Sequence, residues 1–252
     1  MKDVFLYTAL GSGFMLLMTS LGACVTLFFK KELNGAFQRA LIGFSAGVMI
    51  AASVWSMIIP SIDGGEQGVI PAAAGIFLGA GFIMATDAVI SRYAFSENGK
   101  LTDAGKRNTL LITAVTLHNI PEGMAVGLLF ALGAAEDDFT AAIALAICIG
   151  IQNFPEGAAI SLPMRKNGVS SKKAAAWGML SGTVEPPSAL LAVAAASFFG
   201  GIMPWLLGFA AGAMIYVSFQ ELIPESHGED KWGTSGAILG FILMMTLDVA
   251  LG

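Results

Sequence analysis

The chain has 252 residues, of which 56% are hydrophobic and only 12% charged, with a net charge of −5 and a mean hydropathy of +0.75. A soluble domain carries roughly 25% charged residues, so the composition excludes an ordinary soluble domain and fits an integral membrane protein. No linker, low-complexity tail or separate soluble domain interrupts the pattern.

About eight helices of ~20 residues fit the length. The apolar runs are 4–29, 39–62, 68–90, 109–134, 139–163, 172–199, 202–225 and 233–251, and they make residues 1–252 a single transmembrane domain. The runs are long, rich in Ala, Leu and Gly, and free of two-residue alternation, which predicts an all-α fold rather than a barrel. In the first run, LGAC at 21–24 resembles a lipoprotein cleavage site. Only Lys2, offset by Asp3, precedes it, and the apolar stretch is long for a leader, so it is read as a span.

The second run places Met49, Ser56 and Asp63 seven apart, roughly on one stripe. Asp63 and Ser56 are candidates for a cation's way in, and Met49 for a soft ligand near mid-depth, against the plainer reading of a packing methionine. Asp87 closes the third run. The fourth carries TLHNIPEGMA, with His118 and Glu122 on one helical face, Asn119 beside them, and Pro121 depriving the Leu117 carbonyl of its helical donor. The fifth repeats the frame as IQNFPEGAA, with Gln152, Asn153, Pro155 and Glu156. The sixth adds Glu185 before Pro186 and Pro187. Gln220, Glu221, Glu225 and His227 crowd the end of the seventh and are candidates for the way out. Cys24 and Cys148, inside spans 1 and 5, are read as packing residues rather than a disulfide or ligand pair.

Lys30, Lys31 and Arg39, then Arg92, Lys100, Lys106 and Arg107, then Arg165, Lys166, Lys172 and Lys173, and finally Lys231 all follow odd-numbered spans, so 12 of the 13 basic residues share one side. The other side carries Lys2 with Asp63, Glu66, Glu136, Asp137 and Asp138. The positive-inside rule puts both termini outside the cytoplasm. FSAGVMIAAS at 44–53 matches FAAGAMIYVS at 209–218, GFIMATD at 81–87 is echoed by GFILMMTLD at 240–248, and the two PEG frames match each other. The matched spans cross in opposite directions. An inverted repeat of spans 1–3 against 6–8, around a central 4–5 pair, is expected, with a site near the midplane.

Three carboxylates at mid-depth without a buried Lys or Arg must hold protons, face water or bind cations. With one imidazole and three amides they make a divalent-metal set suited to zinc and similar ions. An intramembrane metal-dependent hydrolase is the alternative, but the chain has no HExxH motif and only His118 and His227.

HNIPEG, QNFPEG and VEPP on successive helices resemble the ZIP family of divalent metal transporters, and Gln152 resembles its GufA-like prokaryotic branch. The resemblance covers essentially the whole chain. It implies a multi-pass transporter of the cell membrane, not an enzyme, that moves zinc toward the cytoplasm through a two-metal midplane site. Cadmium, iron, manganese and cobalt are further candidate substrates. One metal position resembles Met49, His118, Glu122, Gln152 and Glu156. The other resembles Asn119, Glu122, Asn153, Glu156 and Glu185, so that Glu122 and Glu156 bridge. The resemblance also implies an elevator in which spans 1, 4, 5 and 6 move against 2, 3, 7 and 8, with a homodimer as candidate assembly. The partners implied are metal ions and the lipid bilayer, with no nucleic acid. Two departures bear on selectivity. The loop SRYAFSENGKLTDAGKR lacks the histidines of many relatives. Gln152 and Asn153 stand where some relatives carry His and Asp, which predicts looser discrimination among metals.

Overall fold

A computed structural model describes residues 2–28, 34–64, 68–94, 103–199 and 201–251. Lys30, Lys31, Glu66 and Lys100 of the charge pattern lie outside the described residues, as does 95–102 of the histidine-free loop. Among the described residues every regular element is helical, as the apolar runs predict. The helices are α1 (Lys2–Phe28), α2 (Gly35–Ala52), α3 (Ile59–Asp63), α4 (Val69–Ala94), α5 (Asp103–Glu136), α6 (Thr140–Lys166), α7 (Ser171–Gly182), α8 (Glu185–Phe198), α9 (Met203–Val217), α10 (Ile223–Ser226) and α11 (Trp232–Leu251). Two wide π-helical segments, Ser53–Ile58 and Ser218–Leu222, join α2 to α3 and α9 to α10.

Among the described residues seven continuous helical stretches are long and apolar enough to cross a membrane. The sixth predicted span, 172–199, is not continuous. It breaks at Thr183 and Val184 between α7 and α8, because Pro186 and Pro187 lack the N–H groups that would carry the ladder across, and prolines suit only the first turn of a new helix.

The helices fall into two sets. α1, α5, α6, α7 and α8 pack mainly on one another, and α2, α4, α9 and α11 do the same, with α1 against α6, α5 against α8, α2 against α11 and α4 against α9 as the most intimate pairs. Small residues make the last two approaches close. Gly43 and Gly47 face the backbone of Gly233 and Ala237, and Gly208 and Gly212 meet Ala72 and Ile76 in the same order. Gly236 and Gly240 face Ala40 and Phe44, and Gly75 and Gly79 meet Trp205 and Phe209. Each contact of α2 with α11 thus recurs between α9 and α4, the geometry of an inverted repeat. The contacts also correct the alignment. Gly79, not Gly81, is the counterpart of Gly240, because only Gly79 meets a neighbouring backbone while Gly81 faces open space. Asp87 and Asp248 remain paired.

Charge separates the two faces. On one, the Arg39 guanidinium donates to Asp230, Arg165 donates to the Thr26 carbonyl at 2.7 Å, and Asn167 donates to Asn108 at 2.8 Å. On the other lie Asp63, Glu136 and Asp138. These are called the basic and acidic faces below.

Candidate metal centre

Four segments converge between the two helix sets. α5 supplies His118, Asn119 and Glu122, α6 supplies Gln152, Asn153 and Glu156, α8 begins with Glu185, and α2 brings Met49. Asn119, Glu122, Gln152, Asn153 and Glu185 are fully buried, Met49 is 2% and His118 5% exposed. Glu156 is partly exposed, but its Oε1 is enclosed. The glycine of each PEG motif permits this convergence. A Cβ on Gly123 would overlap the Glu185 carbonyl, and one on Gly157 would overlap the Thr19 carbonyl of α1.

The hydrogen bonds have a common sense. Gln152 Nε2 donates to Glu122 Oε1 at 2.8 Å, Asn153 Nδ2 to Glu185 Oε1 at 3.0 Å, and Asn119 Nδ2 to the Ser181 carbonyl at 2.9 Å. Thr19 Oγ1 also lies 3.0 Å from Glu185 Oε1. The amide donors are therefore used, and the oxygens are left over. Among the described residues, seven of the nine buried side-chain polar atoms without a hydrogen-bond partner belong to this cluster. They are His118 Nε2, Asn119 Oδ1, Glu122 Oε2, Gln152 Oε1, Asn153 Oδ1, Glu156 Oε1 and Glu185 Oε2. A buried acceptor costs free energy unless a donor or cation meets it. Six unmatched oxygens and one imidazole nitrogen form the donor set of a hard or borderline metal ion.

A cavity of about 70 Å³ opens from this cluster toward the basic face, lined by Met49, His118, Glu122, Glu156, Glu221 and Glu225 among others. A second cavity of about 230 Å³ adjoins it and reaches Gln38 and Lys166. Toward the acidic face the cluster is sealed by packed Ala52, Met57, Leu129, Leu145 and Ile149. Beyond that seal a vestibule of about 420 Å³ holds Ser56 and Asp63. The two suggested entrance residues thus share one space, separate from the candidate ligands.

The proposed exit residues divide. Glu221 reaches the centre itself, with Oε1 3.0 Å from His118 Nε2. Glu225 lines the open cavity, whereas Gln220 and His227 are exposed and line none of these cavities. Thr19 was not expected from the sequence. It stands opposite Asn153 as part of the same Glu185 contact. Among the described residues no three His, Cys, Asp or Glu side chains stand close enough to enclose an ion, so an ion held by these side chains would need the carboxylates to draw in. Cys24 and Cys148 are free thiols.

A bundle of membrane-crossing helices, folded as an inverted repeat around a buried acceptor cluster that opens to one face, has the form of a polytopic membrane protein that handles cations. The comparisons narrow the class. Residues 94–248 match the family described as ZIP zinc transporter. The chain is 36% identical to zinc transporter GufA of Myxococcus xanthus, over 93% of this chain and 94% of that one. It is 37% identical to zinc transporter ZIPB of Bordetella bronchiseptica, over 98% and 82%, and 35% identical to zinc transporter ZIP11 of Xenopus tropicalis, over 93% and 94%. The chain belongs to the ZIP family. It is a multi-pass membrane protein of a transporter family, not the intramembrane hydrolase weighed above.

Proposed function

We propose that this protein carries divalent metal cations, zinc first, from the acidic face to the basic face and so into the cytoplasm. The observation that carries the reading is the set of six buried oxygens without a hydrogen-bond partner, gathered beside the His118 imidazole on three converging segments, α5, α6 and the start of α8. Two ions sharing Glu122 and Glu156 would use the whole set. Met49, His118 and Gln152 complete one position, and Asn119, Asn153 and Glu185 the other. Cadmium, iron, manganese and cobalt are candidate substrates of the same ligands, since amides discriminate weakly.

The separation of the helices into two sets supports an elevator-type exchange, in which α1 and α5–α8 carry the ligands past the set that supplies Met49 and Glu221. The open cavity then corresponds to the state that releases metal. Glu221, close to His118, accepts the ion as it leaves, and Glu225 leads it onward. Metal binding displaces protons from its ligands, so uptake falls as pH falls.

Proteoliposomes that enclose a zinc-sensitive dye test this. Wild type admits zinc, and Glu122→Ala, which removes the shared ligand, reduces the rate to that of empty vesicles. Equal uptake by both would refute the site, and no uptake by well-folded wild type would refute the carrier.

A further inference from the structure

The floor of the acidic-face vestibule contains an unmatched carboxylate. Ser56 Oγ donates to Asp248 Oδ1 at 2.7 Å. Asp248 is only 8% exposed, and its Oδ2 has no partner. It stands on α11, which packs against α6, the helix that carries Cys148. Cys148 is 2% exposed and belongs to the packed layer that closes the route from the vestibule. It precedes Gln152 by four residues, so its thiol sits one turn nearer the acidic face on the same side of the helix.

The inverted repeat indicates what this layer becomes when the carrier opens the other way. The cavity now open to the basic face is lined on α5 by Leu111, Ala114, Val115 and His118. In the shared motif frame, their counterparts on α6 are Leu145, Cys148, Ile149 and Gln152. Inverted repeats reach their second state by exchanging roles about the fixed site. The exchange puts Cys148 where Ala114 stands, on the wall of a cavity open to the acidic face. In the matched α2 and α9 frames Glu221 exchanges with Ser56, the residue that holds Asp248.

We propose that Cys148 and Asp248 form a transient site for thiophilic divalent cations between the vestibule and the metal centre. The assignment rests on the carrier reading above. The ion passes from Asp248 oxygen to Cys148 sulfur, and from there to Met49 and Gln152. As the metal–Sγ bond forms, the thiol proton leaves to vestibule water, with no change of oxidation state. Thiolate favours cadmium over harder ions. A cysteine here therefore gives this chain a cadmium preference that the amide-rich centre alone does not.

The test uses the full chain in a Cys24→Ser background, with Cys148 intact or replaced as Cys148→Ser and Cys148→Ala. The alanine variant restores the residue found at the counterpart position, which guards against misfolding. Cadmium titration of purified protein should produce the ultraviolet charge-transfer band of a cadmium–thiolate bond with Cys148 intact, and neither replacement should produce it. In proteoliposomes the cadmium-to-zinc uptake ratio should fall several-fold in both. A band that survives both replacements, no band with Cys148 intact, or an unchanged ratio would overturn the site. Absence of all uptake with the band present would refute the carrier reading and leave the thiol site standing.

Discussion

Glu185 shows how much a single residue depends on its neighbours. It starts a helix, is fully buried, and is held from one side by Asn153 and from the other by Thr19. Residues that orient a metal ligand typically change affinity by 10- to 100-fold. Thr19→Val, which keeps the shape and removes the donor, should raise the zinc concentration for half-maximal uptake roughly tenfold without lowering the unfolding temperature by more than a few degrees. Asn153→Ala should do at least as much, because it also deletes an oxygen of the cluster. Unchanged affinity in both would show that Glu185 is not a working ligand. Most of the cluster could be read directly from the two PEG frames, since spacing of four fixes a helical face. Thr19 could not, because a threonine in an apolar helix usually bonds its own backbone, and Thr19 does so as well, to the Met15 carbonyl.

At the level of helices, the sequence located the spans but not their irregularities. Hydropathy averages over a window, so it cannot see the break at 183–184 or the π-helical turns in the second and seventh spans. Those turns matter to the site. An extra residue in a turn rotates everything after it, and Glu221 lies inside one, directed at His118 rather than at the span end that simple rise predicts. The PEG glycines make the firmer prediction. Gly123→Ala and Gly157→Ala drive a methyl into a neighbouring backbone carbonyl, where no side chain can yield, and should destabilise by about 1–3 kcal/mol. Gly13→Ala on α1 meets nothing within 4 Å and should be neutral or stabilising by up to about 1 kcal/mol. Thermal unfolding in detergent measures all three, and a neutral Gly123→Ala would mean that α5 and α8 are not locked together.

On the scale of the whole molecule, one face is open to the buried acceptor cluster and the other is sealed. Ala159→Cys, on the wall of the basic-face cavity, should react with a membrane-impermeant thiol reagent supplied from the cytoplasm in a Cys24→Ser, Cys148→Ala background. Reaction from the opposite side alone would invert the orientation. The sealed face has its own consequence. Asp63, Glu136, Asp138 and Asp248 surround one vestibule, and hydrogen bonds from Thr140 hold the Asp138 carboxyl below its usual range, so it keeps its charge to lower pH than an ordinary aspartate. A mouth of one sign bounded by low-dielectric walls concentrates counter-ions before any ligand is reached. The field extends only about 8 Å at physiological ionic strength. Added inert salt should therefore slow capture and raise the half-saturating zinc concentration while leaving the maximal rate alone, and Asp63→Asn should flatten that dependence. The vestibule would then set how well the protein scavenges scarce metal, and the buried ligands what it keeps.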